Sequence, residues 1–395
     1  MINSIQIERF RCFERFEASG FGRVNLLVGT NNCGKTALLE AIELCVGHND
    51  PTTLYRMLAR RGEELLHTGQ NADDFERPVE HLFYGHELDV NSQLTVTIRQ
   101  QDYEIPFEMS VQSRPPDSYK QMGLFDLGSS VLGAEEQGSP RVLRLGLSHS
   151  VNETSSASSA DEAVGRNARI RDGYYLQLSP NDGLLPPRYQ RETASSKPLT
   201  FVPTQSLTSI DIVRMFSEIV LTDEEDLLTR ALQIIEPDIE RLALTAGNVV
   251  PRRLEPISIA WRFERSGIVL RCRGQRQRIP IGSMGDGIWR ILALTLALVN
   301  TRGGVVLIDE IDTGLHFSVM AEMWKLVLET AERLDIQVFA TSHSRDCYES
   351  LASVLKERPQ SGQASIHRIE RDRGRTVVFD QEKIVIAAER DIEIR

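Results

Sequence analysis

Two periodicities alternate along the chain. Over residues 4–8, Ile5 and Ile7 alternate with Ser4, Gln6 and Glu8, the period-two pattern of a strand with one buried face. The run Val24–Val28 is apolar apart from Asn25 and predicts a strand, and residues 36–46 predict an apolar helix with Gly47 placed to cap its C-terminus. Helical spacing follows around Leu54, Met57, Leu58 and Leu65 and around Val79, Leu82 and Phe83. Alternation over 94–98 and 103–111 then predicts strands of an accessory β-lobe.

From residue 117 to 198 the pattern weakens, and the Ser-rich run at 154–160 reads as a flexible loop inside an insertion. Regular structure resumes with an apolar strand at Leu199–Val202 and helices over 207–220 and 224–235. A strand pair at 257–263 and 268–272, a long apolar helix over 288–299 and a buried strand at Val305–Ile308 come next. Strands over 365–370 and 376–380 and a short helix close the chain. The expected division is an N-terminal lobe over 1–116, an insertion over 117–198, and a helical segment with a C-terminal lobe over 199–395.

Composition narrows the class. With 395 residues, 41% of them hydrophobic, the chain is long enough for two or three domains with substantial cores. No apolar stretch of ~18 residues and no signal-peptide pattern occurs, so no membrane span is expected and the cytoplasm is the expected setting. Cys12, Cys33, Cys45, Cys272 and Cys347 are odd in number and scattered, which argues for reduced thiols rather than a disulfide framework or a zinc site. At a net charge of −11, nucleic acid would need a local basic surface.

The chemistry begins at residues 29–36, Gly-Thr-Asn-Asn-Cys-Gly-Lys-Thr, a complete G-x-x-x-x-G-K-[ST] loop between the apolar strand and the apolar helix. Backbone N–H groups from Gly29 through Asn31, Asn32, Cys33 and Gly34 would ring a phosphate at the positive end of the helix. Lys35 would reach the β- and γ-phosphates, and the Thr36 hydroxyl would bind Mg²⁺. The loop reads phosphates and not the base, so it does not choose ATP over GTP. Val305–Ile308 ends in Asp309-Glu310, as expected of a buried strand that delivers Asp309 to the metal shell and Glu310 to the attacking water. Alone, this run would equally suit a core strand followed by a polar turn. Ser283-Met284-Gly285-Asp286-Gly287 precedes the long helix and suits either a helix cap or a phosphate contact.

The order of these motifs resembles that of ATP-binding-cassette ATPase heads, in the group that includes RecF, SMC and the OLD proteins. Glu310 to His316 (Glu-Ile-Asp-Thr-Gly-Leu-His) is similar to their D-loop, and the strand ending Ala340-Thr341-Ser342-His343-Ser344 is similar to the one that carries their switch histidine. The Ser-Met-Gly-Asp-Gly signature and the Ala-Thr-Ser-His-Ser switch look closest to OLD-like ATPases and to AriA-type anti-phage ATPase subunits. The resemblance covers residues 1–47 and 199–395 and leaves the middle unmatched. It implies an α/β fold, a twisted mixed β-sheet flanked by helices with an N-terminal β-lobe and a helical subdomain, and it implies ATP and Mg²⁺ as ligands. It also implies a homodimer in which two heads sandwich the nucleotides. Ser283 and Gly285 would then contact the γ-phosphate held by the other copy, Asp312 would sit beside that site, and His343 would sense the γ-phosphate. Arg11 aligns with a basic residue that approaches the phosphates, although a surface arginine on a strand edge fits equally, and Gln205 occupies a Q-loop position that a plain loop amide would also suit.

No sustained heptads occur, so long coiled-coil arms are not expected. The stretch beyond His343 is too small for the Toprim nuclease domain of full-length OLD proteins, so the expected effector is a separately encoded, Toprim nuclease-like protein. The expected role is a nucleotide-dependent sensor or scaffold in prokaryotic anti-phage defence. The alternative is a RecF-like, ATP-gated DNA-binding repair factor, for which Arg262, Arg265, Arg271, Arg273, Arg276 and Arg278 would supply a basic track, unless they simply form a solvated hairpin face.

Overall fold

The computed structural model describes residues 1–47, 50, 52–63, 66–67, 75–100, 103–113, 142–148, 170–178, 183–184, 197–245, 267–358 and 364–394. The Ser-rich run, the expected strand at 257–263, Arg262, Arg265 and Leu65 lie outside the described residues. The chain forms two compact units. One gathers residues 1–20, 36–196 and 370–376; the other gathers 21–35, 197–369 and 377–395. This differs from the linear division read from the sequence, because residues 21–35 join the C-terminal motifs and not the N-terminal lobe.

The first unit is built on antiparallel strands in the spatial order Phe13–Ser19, Ser4–Phe10, Gln93–Gln100, Tyr103–Gln112, Val142–Ser148, Ile170–Gln177. Register follows the alternation: Ile5 pairs with Ile98 and Ile7 with Val96, and all four are buried. Helix Lys35–Val46 lies against this face, where the Cys45 thiol meets the Val96 carbonyl at 3.4 Å. The last two strands fall in the stretch expected to be an insertion, and they extend the β-lobe instead. Around Val79 to Phe83 the chain makes 3-10 turns, Glu80–Leu82 and Tyr84–His86, and not an α-helix. Gly47 ends the helix with its N–H on Glu43 O (2.8 Å) and without a left-handed φ. Its lack of a side chain serves close packing, since a Cβ there would stand 2.8 Å from Thr53 Oγ1.

The second unit holds a parallel run in the order Leu199–Val202, Val305–Ile308, Gln337–Thr341, Val24–Val28, Ala364–Glu370. The three central strands are buried at every position, as expected where helices cover both faces. Helices Asp286–Val299, Phe317–Arg333 and Arg345–Glu357 supply that cover, the first buried without a break from Ile288 to Val299. Asn25, the polar interruption in its strand, has all its hydrogen-bonding capacity met. Its amide donates to Gly22 O and Val338 O (both 3.0 Å), and its carbonyl accepts from Gly22 N (2.7 Å) and Ser365 Oγ (2.9 Å). A smaller antiparallel sheet joins Ile239–Leu244, Ile268–Cys272 and Ile279–Pro280, so Ile268–Cys272 pairs with strands on both sides that the sequence did not point to. The whole is a mixed α/β fold with helices flanking the sheet. Among the described residues, no helix is long and apolar enough to cross a membrane.

Candidate active site

Parallel strands deliver their C-terminal ends to one edge, where the carbonyl ladder stops and loops carry the chemistry. At that edge lie the loop after Val28, Pro203 to Gln205 after Val202, Asp309 and Glu310 after Ile308, and Ser342 and His343 after Thr341.

The loop after Val28 folds around its own lysine. Lys35 Nζ donates to Gly29 O (2.8 Å) and Thr30 O (2.9 Å) and lies 3.8 Å from Cys33 Sγ. Burial pushes the Lys35 pKa below its ordinary value, against the pull of Cys33, Asp309 and Glu310 toward the charged form. Gly29 has φ 146°, and a Cβ there would fall 2.7 Å from Cys33 Sγ, so no other residue fits this start of the loop. Thr30, Asn31 and Asn32 are exposed, which leaves the loop's outer face open to a ligand.

Asp309 is held at both oxygens: Thr341 Oγ1 donates to Oδ1 (2.8 Å) and Thr204 Oγ1 to Oδ2 (3.1 Å). The next residue, Glu310, has φ 49°, a left-handed conformation that costs a non-glycine residue energy and persists where its surroundings enforce it. Glu310 N donates to Thr341 Oγ1 (2.7 Å), and its carboxylate lies 3.6 Å from His343 Nε2 and 3.2 Å from Thr313 Oγ1. A carboxylate and an imidazole, both more than a third exposed, therefore stand side by side next to a half-buried, oriented aspartate.

Arg290, on the helix that follows the signature, is only 2% exposed. Its guanidinium donates to main-chain carbonyls: Nη1 to Pro203 O (2.8 Å), Nη2 to Asp309 O (2.7 Å) and Glu310 O (2.6 Å), with Nε reaching Ile311 O at 3.5 Å. Burial lowers its pKa to about 10, opposed by Asp309, Asp312 and Glu310, so it stays charged at neutral pH.

Residues 24–346 match the family described as an AAA domain, putative AbiEii toxin, of Type IV toxin–antitoxin systems. The chain belongs to this AAA-domain family of P-loop ATPases. A Helicobacter pylori protein described as an ATP/GTP phosphatase is 22% identical over 397 residues, covering 94% of this chain and 93% of that protein. An uncharacterized Methanocaldococcus jannaschii protein is 28% identical over 103 residues, 26% of this chain and 44% of that one. Among solved structures, an SMC head bound to the C-terminal winged-helix domain of ScpA superposes with a TM-score of 0.44 at 11% identity, covering 96% of this chain and 97% of that one. The SMC head domain from Thermotoga maritima gives 0.39 at 12% identity, covering 96% and 98%.

Several residues of this AAA-domain chain sit differently from the sequence reading. Arg11 is not a surface arginine. It is 9% exposed, its Nε is 2.9 Å from Glu40 Oε2, and its Nη1 pairs with Glu63 and reaches His81 O at 3.3 Å. Gln205 is exposed in its loop, and it is the neighbouring Thr204 that touches Asp309. Ser283 lies in a 3-10 turn, Ile281–Met284, and both Ser283 and Gly285 are exposed. Gly287 packs on the D-loop, where a Cβ would meet Gly314 O at 3.1 Å. Asp312 points a buried oxygen, Oδ1, at no hydrogen-bond partner. Arg290, Thr204 and Thr341 escaped the sequence reading; the one available signal was an arginine inside an otherwise unbroken apolar helical run.

Proposed function

We propose that this chain hydrolyses a nucleoside triphosphate between two copies of itself and acts as a nucleotide-dependent sensor or scaffold in prokaryotic anti-phage defence, working with a separately encoded effector. The observation that carries the hydrolytic part is the built carboxylate pair. Asp309 is locked by two threonine hydroxyls, and Glu310, turned by its left-handed backbone, stands against His343.

The donor set suits a triphosphate with Mg²⁺: hard oxygens from Asp309 and the Thr36 hydroxyl would hold the ion, which supplies charge neutralisation at the phosphates. Lys35 leaves the Gly29 and Thr30 carbonyls for the phosphate oxygens, exchanging two neutral acceptors for charged ones. Glu310 orients the water and accepts its proton, and His343 donates to the γ-phosphate as charge develops there. The exposed Ser283 and Gly285 address the nucleotide of the second copy.

The defence role draws on the resemblance of the signature and switch motifs to OLD-like and AriA-type subunits, and on the toxin–antitoxin description of the family. The DNA-binding alternative gains no observation. Arg271 is tied to Glu240 at 2.8 Å, and Arg273, Arg276 and Arg278 are exposed.

Glu310→Gln tests the hydrolytic reading. Turnover of ATP or GTP should fall at least ~100-fold while nucleotide stays bound and dimers accumulate on gel filtration. Normal turnover would remove Glu310 from the chemistry. Co-purification with the product of an adjacent reading frame, absent salt-sensitive DNA binding, supports the defence role, and the converse supports repair.

A further inference from the structure

Arg290 is a buried cation with no carboxylate in direct ion pairing among the described residues; it is satisfied by main-chain oxygens. Those oxygens belong to two segments. Pro203 follows the strand Leu199–Val202, and Asp309, Glu310 and Ile311 follow the strand Val305–Ile308. At the ends of parallel strands these carbonyls leave the ladder, and a planar guanidinium with five donors is the side chain that can gather several of them.

The geometry is selective for Glu310. The Asp309 carbonyl belongs to the peptide that precedes Glu310 and the Glu310 carbonyl to the peptide that follows. A single nitrogen, Nη2, holds both, at 2.7 and 2.6 Å. Fixing the two flanking peptide planes fixes φ and ψ of Glu310, and with them the direction of its side chain. Without such a hold, a glutamate at φ 49° would relax toward the ordinary negative-φ regions. Glu310 O also accepts from Thr313 N (3.0 Å), so the same carbonyl anchors the turn into the D-loop.

We infer that Arg290 is the positioning residue for Glu310, and that it links the signature helix, whose first turn it follows, to the hydrolytic carboxylate. The inference rests on the hydrolytic reading above for what Glu310 does, but not for the clamp itself. Helix Asp286–Val299 begins at the exposed signature, and Gly287 at its start touches Gly314 of the D-loop. A ligand engaging Ser283 and Gly285 therefore acts on a helix that carries, in its second turn, the clamp on Glu310 and on Pro203.

The test uses the full chain with Arg290→Lys, which keeps the charge but ends one bond short of Nη2, so its ammonium does not reach the place from which Nη2 holds the Asp309 and Glu310 carbonyls and cannot also take the Pro203 carbonyl. Hydrogen exchange over residues 309–313 should speed up by at least ~10-fold while the strands Val24–Val28 and Gln337–Thr341 keep their protection. Turnover should fall about 100-fold with affinity for a non-hydrolysable ATP analogue within about 3-fold of native. Unchanged exchange over 309–313 overturns the inference, as does a loss of affinity that matches the loss of rate. If the native chain turns over neither ATP nor GTP, the hydrolytic reading fails, and the exchange readout alone decides the clamp. If Arg290→Lys loses protection throughout, the native chain decides through its Arg290 guanidinium protons. Exchange slowed at least ~100-fold relative to free arginine supports the clamp, and exchange at the free rate overturns it.

Discussion

Thr341 gives its hydroxyl proton to Asp309 Oδ1 at 2.8 Å and takes the Glu310 N–H on the same oxygen at 2.7 Å. One hydroxyl at the end of one strand thus orients both acidic residues at the end of its neighbour. Thr341→Val keeps the shape and removes both bonds, leaving a half-buried N–H and a carboxylate oxygen short of a partner. We expect a stability loss of about 1–3 kcal/mol in denaturant titration and a fall in turnover of ~10-fold or more from the displaced carboxylates. Thr341→Ser should restore most of both; a valine variant with native turnover would show that the bridge is dispensable.

Arg11 sits in a buried cluster with Glu40 and Glu63, and Arg61 reaches the other oxygen of Glu40 at 2.8 Å. Removing the arginine strands buried carboxylate charge, which typically costs about 3–5 kcal/mol. Arg11→Met should therefore lower the melting temperature strongly while the folded fraction binds nucleotide nearly as tightly as native. A stable Arg11→Met chain with nucleotide affinity weakened tenfold or more would return Arg11 to the phosphates and refute the structural role.

Glu43 faces Arg60 from the buried side of helix Lys35–Val46, with Glu40 and Arg56 nearby, and burial raises its pKa to about 7 from 4.5. Between those values the folded chain holds a proton that the unfolded chain has released, so stability from this residue is present below pH 4.5 and is lost as pH rises toward 7. Glu43→Gln cannot titrate. Its stability relative to native should therefore rise between pH 4.5 and 7, by something on the order of 1–3 kcal/mol, in paired melts at pH 5 and pH 8. A pH-independent difference between the two chains would mean that Glu43 keeps an ordinary carboxylate pKa.

The parallel strands were legible because each is an apolar run that stops at a chemical motif: Val24–Val28 at Gly29, Val305–Ile308 at Asp309, Gln337–Thr341 at Ser342. Their lateral order was not legible, since nothing in Ala364–Glu370 states that it lies beside Val24–Val28. Local pattern also hid the partners of charged residues. Glu63 lies 52 residues from Arg11, and a pairing at that distance leaves no periodic trace, so Arg11 read as a phosphate contact or a surface residue. The strands Val142–Ser148 and Ile170–Gln177 were lost for a different reason: they are short segments in a polar, low-complexity stretch, and their register comes from pairing, the first with Tyr103–Gln112 and the second with the first, rather than from their own sequence. Thr204 and Thr341 carry no signal at all, because a hydroxyl at a strand end is equally at home in a core.

Ser283 and Gly285 bear on whether one copy of the chain is sufficient. Both are exposed, a Cβ at Gly285 would meet nothing within 4 Å, and no side chain caps the helix that starts at Asp286. Substitution at Ser283 should therefore leave the fold within ~0.5 kcal/mol of native, as for an ordinary surface change, whereas Gly285, at φ 88°, would strain any other residue. Ser283→Arg should nonetheless abolish turnover if the signature completes a nucleotide site, and Lys35→Met should abolish it from the loop side. In a mixed dimer of these two inactive chains, one interface joins the defective loop to the defective signature, while the other joins an intact Lys35 to an intact Ser283. Mixing the purified variants should then recover a substantial fraction of native turnover. The recovery should depend on total protein concentration and vanish on dilution. A mixture that stays inactive at every concentration would place Ser283 and Lys35 in the same site of one chain, and the second copy would have no part in the chemistry.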